Sequence, residues 1–234
     1  ESSYGYPMMN EAGYATRRES RTRNGLSLSF YATDGRRVPD CSNTYIVGIE
    51  PRNGGYDLSY RTADGRLWSG YYGYALDSRR IAQGGEETRS HFDELGRPVV
   101  TLSLGFHRSV SVKERRGGAL VVDMAFYDEA GAPAISFEGY YRQRVRLDEE
   151  GRTYELLDVD GEPMTSHLGW AVERIDWDRG LPVRLAFSAP DGGAVISMEG
   201  FHEARYELSP DGSIVGLSFY GTEGEPRSSY EGYH

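Results

Sequence analysis

Residues 125–163 read AFYDEAGAPAISFEGYYRQRVRLDEEGRTYELLDVDGEP. A turn glycine with proline two residues on, Gly131-Ala132-Pro133, leads to Gly139-Tyr140. A stretch of alternating residues follows, Glu150-Gly151 reverses the chain, and Gly161-Glu162-Pro163 begins the series again. The same order joins Gly5-Tyr6-Pro7 to Gly13-Tyr14, Gly161-Glu162-Pro163 to Gly169-Trp170, and Gly224-Glu225-Pro226 to Gly232-Tyr233. The first glycines fall at 5, 35, 65, 96, 131, 161, 192 and 224, a period of 30–35 residues. A fixed period of this size marks a stacked-unit architecture. Residues 1–234 are therefore expected to be a single array of about seven and a half units.

The units read as strands. Asn24-Gly25, Asn53-Gly54-Gly55, Gly84-Gly85, Gly117-Gly118, Glu150-Gly151, Arg179-Gly180 and Asp211-Gly212 are hairpin signals, because tight hairpin turns need positive φ. Between them apolar and polar residues alternate, as in Ala204, Tyr206 and Leu208 against Arg205 and Glu207, or Val183, Leu185 and Phe187 against Arg184 and Ala186. That period fits sheets with one buried and one solvated face. Each unit is expected to run turn, strand, glycine kink, strand, turn, strand. No segment combines helical period, caps and length; residues 86–95 leave room for a turn of helix but end at Gly96, like the other turns. The fold class is all-β: antiparallel hairpin repeats of about 30 residues, stacked into an elongated twisted sheet or solenoid.

The second glycine recurs as Gly13, Gly73, Gly105, Gly139, Gly169, Gly200 and Gly232, but the second unit has Asn43 there, followed by Thr44 in place of an aromatic. Asparagine is the commonest non-glycine residue in the left-handed region. The position is thus expected to demand a positive φ, with the aromatic beside it adjustable.

Composition narrows the partners. A net charge of −10 argues against nucleic acid and anionic membrane surfaces. Glycine is abundant, 30 of 234 residues, and the 38% hydrophobic content suits a thin stacked body better than a thick core. Lys113 is the only lysine, so arginine carries nearly all positive charge. The one cysteine, Cys41, leaves no intrachain disulfide and no cysteine cluster for zinc. No cofactor or metal is expected.

Phe126-Tyr127-Asp128-Glu129-Ala130-Gly131 and Leu147-Asp148-Glu149-Glu150-Gly151-Arg152 resemble the YD-repeat (Rhs-type) β-hairpin proteins, in a variant with Gly-x-Pro and Gly-aromatic elements added. The resemblance covers nearly the whole chain and implies antiparallel hairpins in bacterial surface or secreted proteins. The chain departs from it in keeping few intact Tyr-Asp pairs and in showing no toxin-type catalytic end.

Three groups of residues are candidates for chemistry. The aromatic column after the second glycine, Tyr14, Tyr74, Phe106, Tyr140, Trp170, Phe201 and Tyr233, is either a sugar-stacking platform or, as we favour, a core ladder. Trp68, Tyr71 and Tyr72, crowded beside Tyr74, are the candidates for an exposed cluster, with Trp170 a further candidate ring. Asp158-Val159-Asp160-Gly161-Glu162 has alternate oxygens but lacks the distal glutamate of a calcium loop, and turn chemistry explains it. The histidines His91, His107, His167, His202 and His234 have no metal-ligand spacing, and no nucleophile motif occurs. Lys113-Glu114-Arg115-Arg116, in the unit with extra residues, reads as a surface loop.

The expected function is non-catalytic: a structural repeat of an extracellular or envelope protein, acting as stalk, fibre or adhesive scaffold. Its ends carry incomplete units, so its expected partners are other copies of itself or neighbouring repeats. The alternative is a module that uses the exposed aromatic cluster to bind a glycan or a cell-surface protein.

Overall fold

The computed structural model describes residues 14–229. All regular structure in it is β. The chain divides into two compact units, residues 1–110 with 127–132 and residues 111–126 with 133–234. The first holds β1 (Thr16–Thr22), β2 (Gly25–Tyr31), β3 (Ile46–Arg52), β4 (Gly55–Arg61), β5 (Leu76–Ile81) and β6 (Glu87–Phe92). β7 (Arg108–Arg116) and β8 (Ala119–Tyr127) each contribute residues to both units. The second continues with β9 (Arg142–Leu147), β10 (Gly151–Leu157), β11 (Val172–Asp178), β12 (Leu181–Ser188), β13 (Glu203–Leu208), β14 (Ile214–Tyr220) and the short β15 (Pro226–Arg227). Strand order is chain order, and paired strands run antiparallel.

Two kinds of connection alternate. The tight ones close hairpins where the turn signals stand. Arg52 pairs with Gly55 around Asn53-Gly54, and Asp178 pairs with Leu181 around Arg179-Gly180. Arg179 and Gly180 both have positive φ, 51° and 81°, as a turn matched to the twist of its strands requires.

The long connections are residues 32–45, 62–75, 93–107, 128–141, 158–171 and 189–202. Each opens with a turn closed by its first glycine, as in Gly131 N–H to Asp128 O (3.2 Å) and Gly161 N–H to Asp158 O (3.2 Å). A single bridge to the preceding strand follows, such as Pro163 with Leu157. A second turn then encloses the second glycine: Ser136 N–H bonds Tyr140 O (2.8 Å), and Gly139 N–H bonds Ser136 O (2.9 Å). The stretch between the two glycines is thus a bridge and a turn, where the sequence suggested a strand. The second glycine sits inside that turn rather than kinking a strand.

One open reading closes, and one other expectation changes. Residues 86–95 form no helix; they hold β6, because Glu87–Phe92 pairs with β5 along its whole length. The extra residues around Lys113 form no surface loop. They lengthen β7 and β8, the two longest strands, so the insertion is spent on ladder.

The two faces of the strands differ. On one, Phe30, Phe126, Leu156, Phe187 and Phe219 are buried beneath the long connections. On the other, arginines and carboxylates alternate, which explains why this acidic chain uses arginine and hardly any lysine: the planar guanidinium can bond two carboxylates at once.

Candidate functional site

The long connections carry the aromatic column, and the structure seats it as core. In the second unit the ring centroids run Tyr154–Trp170 (6.1 Å), Trp170–Phe187 (5.5 Å), Phe187–Phe201 (5.7 Å) and Phe201–Phe219 (4.7 Å). In the first, Tyr14 packs on Phe30 (4.8 Å), and Tyr60, Tyr74, His91 and Phe106 follow at 5.6, 4.5 and 5.9 Å. Rings of the Gly-aromatic column alternate with a column from the even-numbered strands: Phe30, Tyr60, His91, Phe126, Leu156, Phe187 and Phe219. These tilted and edge-on contacts are the geometries that ring quadrupoles favour. Two of the candidate ligand-binding rings therefore belong to this spine. Tyr74 is only 4% exposed and Trp170 only 6%, so neither offers a face to a ligand.

The second turns also meet each other. Tyr71 N–H reaches Ser42 O (3.4 Å), and Ser103 Oγ donates to Tyr72 O (3.3 Å). In the second unit, His167 N–H bonds Glu138 O (2.9 Å) and Met198 N–H bonds Leu168 O (3.0 Å). Within each unit, successive second turns are bonded to one another. This close approach adds a steric demand to the backbone one: a methyl group at Gly139 would stand 2.7–2.9 Å from the His167 ring. Gly73, Gly105, Gly139, Gly169 and Gly200 hold φ of 75–93°, and Asn43 joins them at 59°. Gly13 and Gly232, like Tyr233, lie outside the described residues.

Thr44, where a ring is missing, is fully buried, and a neighbour compensates. Tyr72 leans from the following repeat onto Tyr60 (5.9 Å), and its hydroxyl accepts a hydrogen bond from Ser42 Oγ (3.0 Å). The exposed remainder of the cluster is Trp68, 39% exposed, and Tyr71, 78% exposed, which meets Tyr72 edge-on at 5.8 Å. Gly70 lies between them; a methyl group there would stand 3.3 Å from the Trp68 indole nitrogen. Other repeats place Leu102, Phe137, His167 or Met198 at this position; here the glycine lets the backbone lie close against the indole and the Ser42 carbonyl.

The opposite face holds ion pairs in series. Arg174, Asp176, Arg184, Glu203 and Arg205 connect through contacts of 2.5, 3.0, 2.7 and 2.5 Å, and Arg205 then lies over Tyr220 at 4.3 Å. In the first unit Asp57 joins Arg52 (2.6 Å) to Arg80 (2.7 Å). Burial works against ionising Asp57, Asp176 and Glu203, but the guanidinium hydrogen bonds outweigh it and hold all three below their ordinary pKa. A hollow of about 430 Å³ on this face is lined by Arg144, Arg146, Thr153, Glu155 and Arg174. Its arginines are engaged, Arg144 with Asp123 (2.7 Å) and Arg146 with Asp148 (3.0 Å).

The acidic turn at 158–162 is turn chemistry. Asp158 Oδ1 accepts the N–H groups of Asp160 and Glu162, each at 2.9 Å. No group of His, Cys, Asp and Glu suited to a metal ion occurs among the described residues.

Two features escaped the sequence reading. One is the strand column of the spine. The other is a polar residue opening each second turn, Asp40, Ser69, Thr101, Ser136, Ser166 or Ser197, whose signal was its fixed place just before the second glycine. Asp40 Oδ1 accepts the N–H groups of Ser42 (2.9 Å) and Thr44 (3.0 Å), and Ser136 Oγ accepts that of Tyr140 (3.3 Å). A scan against protein-family models, a search of curated proteins and a search of solved structures each returned no match.

Proposed function

We propose that the chain is a non-catalytic structural repeat element of an extracellular or envelope protein, a scaffold that grows by adding units at its strand edges. The observation that carries this is the doubled use of the repeats within each unit: the Gly-aromatic rings enter the spine, and successive second turns bond one another. Each repeat builds the surface that its successor needs. Repeat proteins held by such nearest-neighbour contacts serve as extended frameworks and propagate by the same contacts. The edge at β1 supports the assembly step. Its seven residues, TRRESRT, are all exposed, and its only strand partner among the described residues is β2. An exposed edge templates strand addition, and a head-to-tail contact that does not close gives filaments.

Light scattering and electron microscopy of the 234-residue chain at rising concentration test this. End-to-end species that lengthen with concentration are the expected result. A monodisperse monomer throughout refutes the assembly.

A second reading, a glycan- or protein-binding module, is favoured by the exposed rings of Trp68 and Tyr71. A glycan array on the intact chain and on its Trp68→Ala variant checks it; binding unchanged by the substitution removes it.

A further inference from the structure

His91 occupies a place in the spine where other repeats carry Phe, Tyr or Leu. It is 0% exposed, with the Tyr74 ring 4.5 Å away on one side and Phe106 at 5.9 Å on the other. It is also clasped to His107. Nδ1 of His91 lies 3.0 Å from the His107 carbonyl, and Nδ1 of His107 lies 2.7 Å from the His91 carbonyl. A carbonyl only accepts, so each Nδ1 carries the proton and donates. That leaves Nε2 of His91 as a buried bare nitrogen with no partner.

The neutral ring fits this place as a phenyl group would; the imidazolium does not. A proton on Nε2 would have no protein acceptor. The charged and titratable groups facing it offer little help. Asp77 stands directly opposite on β5, but Arg89 holds its carboxylate through contacts of 2.6, 2.9 and 3.0 Å. Arg89 is itself a cation, His107 would repel if charged, and Tyr74 is a neutral phenol whose pKa burial raises.

We propose that His91 is an acid trigger built into the spine: its protonation expels the ring and opens β6 with the connection at 93–107. Desolvation first, with the charges of Arg89 and His107 adding to it, lowers the His91 pKa to about 4, against the opposing pull of Asp77 and of the His107 carbonyl. The ordinary value is about 6.5, so the unfolded or opened state binds the proton more tightly. The contribution of a neutral His91 is whole above about pH 6.5 and is lost as pH falls towards 4. Across that window the closed-to-open ratio falls roughly 80-fold, and over the whole titration, to well below pH 4, roughly 300-fold.

Amide hydrogen exchange on the full chain, corrected for intrinsic rates, tests the trigger. Between pH 7.5 and 4.5, protection in residues 87–92 of wild type should fall on the order of 80-fold, and His91→Phe should abolish that fall. A fall of equal size in His91→Phe, or none in wild type, overturns the proposal. If His91→Phe does not fold, proton NMR of wild type decides. The His91 ring should titrate well below 6, with the amides of Tyr74 and Phe106 shifting at the same midpoint. A midpoint near 6.5 with those amides unmoved overturns it.

Discussion

Replacing Gly139 by alanine puts a methyl group where the stacked turns meet. Gly139 holds φ +90°, and the new carbon would stand 2.7–2.9 Å from ring atoms of His167. Left-handed backbone costs an L-residue about 1–2 kcal/mol. Relieving the clash costs a further ~0.5–1.5 kcal/mol, because the His167 ring must leave its rotamer. Its backbone is held by the 2.9 Å bond from His167 N–H to Glu138 O. The expected total is about 1.5–3.5 kcal/mol. Gly192→Ala supplies the comparison: φ is +83° and nothing lies within 4 Å of the added carbon, so only the backbone cost of about 1–2 kcal/mol applies. Both substitutions restrict the unfolded chain equally, so that contribution drops out of the difference. Urea unfolding followed by circular dichroism should rank wild type, Gly192→Ala and Gly139→Ala in falling stability. Adding His167→Ala to Gly139→Ala should restore the Gly192→Ala value. Equal losses for the two glycines, or no recovery in the double variant, would refute the idea that turn-to-turn contact fixes this position.

Trp170→Ala should cost about 3–5 kcal/mol in the same assay, because it empties a spine position between Tyr154 and Phe187. Tyr72→Ala should lower stability by roughly 1–3 kcal/mol through lost packing on Tyr60, while Tyr71→Ala, at an exposed ring, should stay within about 0.5 kcal/mol of wild type. Glu203→Gln should cost about 1–2 kcal/mol. The carboxylate is buried, but its partners Arg184 and Arg205 have side chains 40% and 58% exposed, so solvent screens part of the interaction. The folded pKa of Glu203 is depressed, so its contribution is present above the ordinary glutamate pKa of about 4.3 and is lost as pH falls below it. Thermal unfolding of wild type and Glu203→Gln should therefore converge as pH drops from about 6 to about 3.

Much of the fold was legible because the turns announce themselves. Asn53-Gly54 and Arg179-Gly180 close hairpins where they stand, and Asn43 holds the left-handed φ of 59° that its place in the register suggested. The residues between the two glycines misled, since Ala134-Ile135-Ser136-Phe137 has strand-like composition. Only Ala134 N–H reaches the preceding strand, at Phe126 O; the other hydrogen bonds go to its own turn and to the turn of the next repeat. The strand column of the spine was hidden because Phe187 or Phe219 looks like any inward residue of an alternating strand; only pairing register brings Phe187 between Trp170 and Phe201, and Phe219 beyond Phe201. The same holds for the site candidates. Trp68 precedes a second turn and is 39% exposed, while Trp170 follows a second glycine and is 6% exposed, so one residue type is surface at one place in the repeat and a buried rung at another. The importance of His91 was invisible for that reason too: its isolation depends on His107, Tyr74 and Phe106 arriving from other segments.

Because strand order in each unit follows chain order, no element waits for a distant partner. The farthest-reaching side-chain hydrogen bond described, Ser103 to Tyr72, spans 31 residues, about one repeat. Low contact order of this kind favours rapid folding. It also lets structure form progressively while the chain is still emerging from a ribosome or a secretion pore, each hairpin closing on the one already made. Such a chain can be lengthened or shortened by whole repeats without redesign, since every repeat consults only its neighbours.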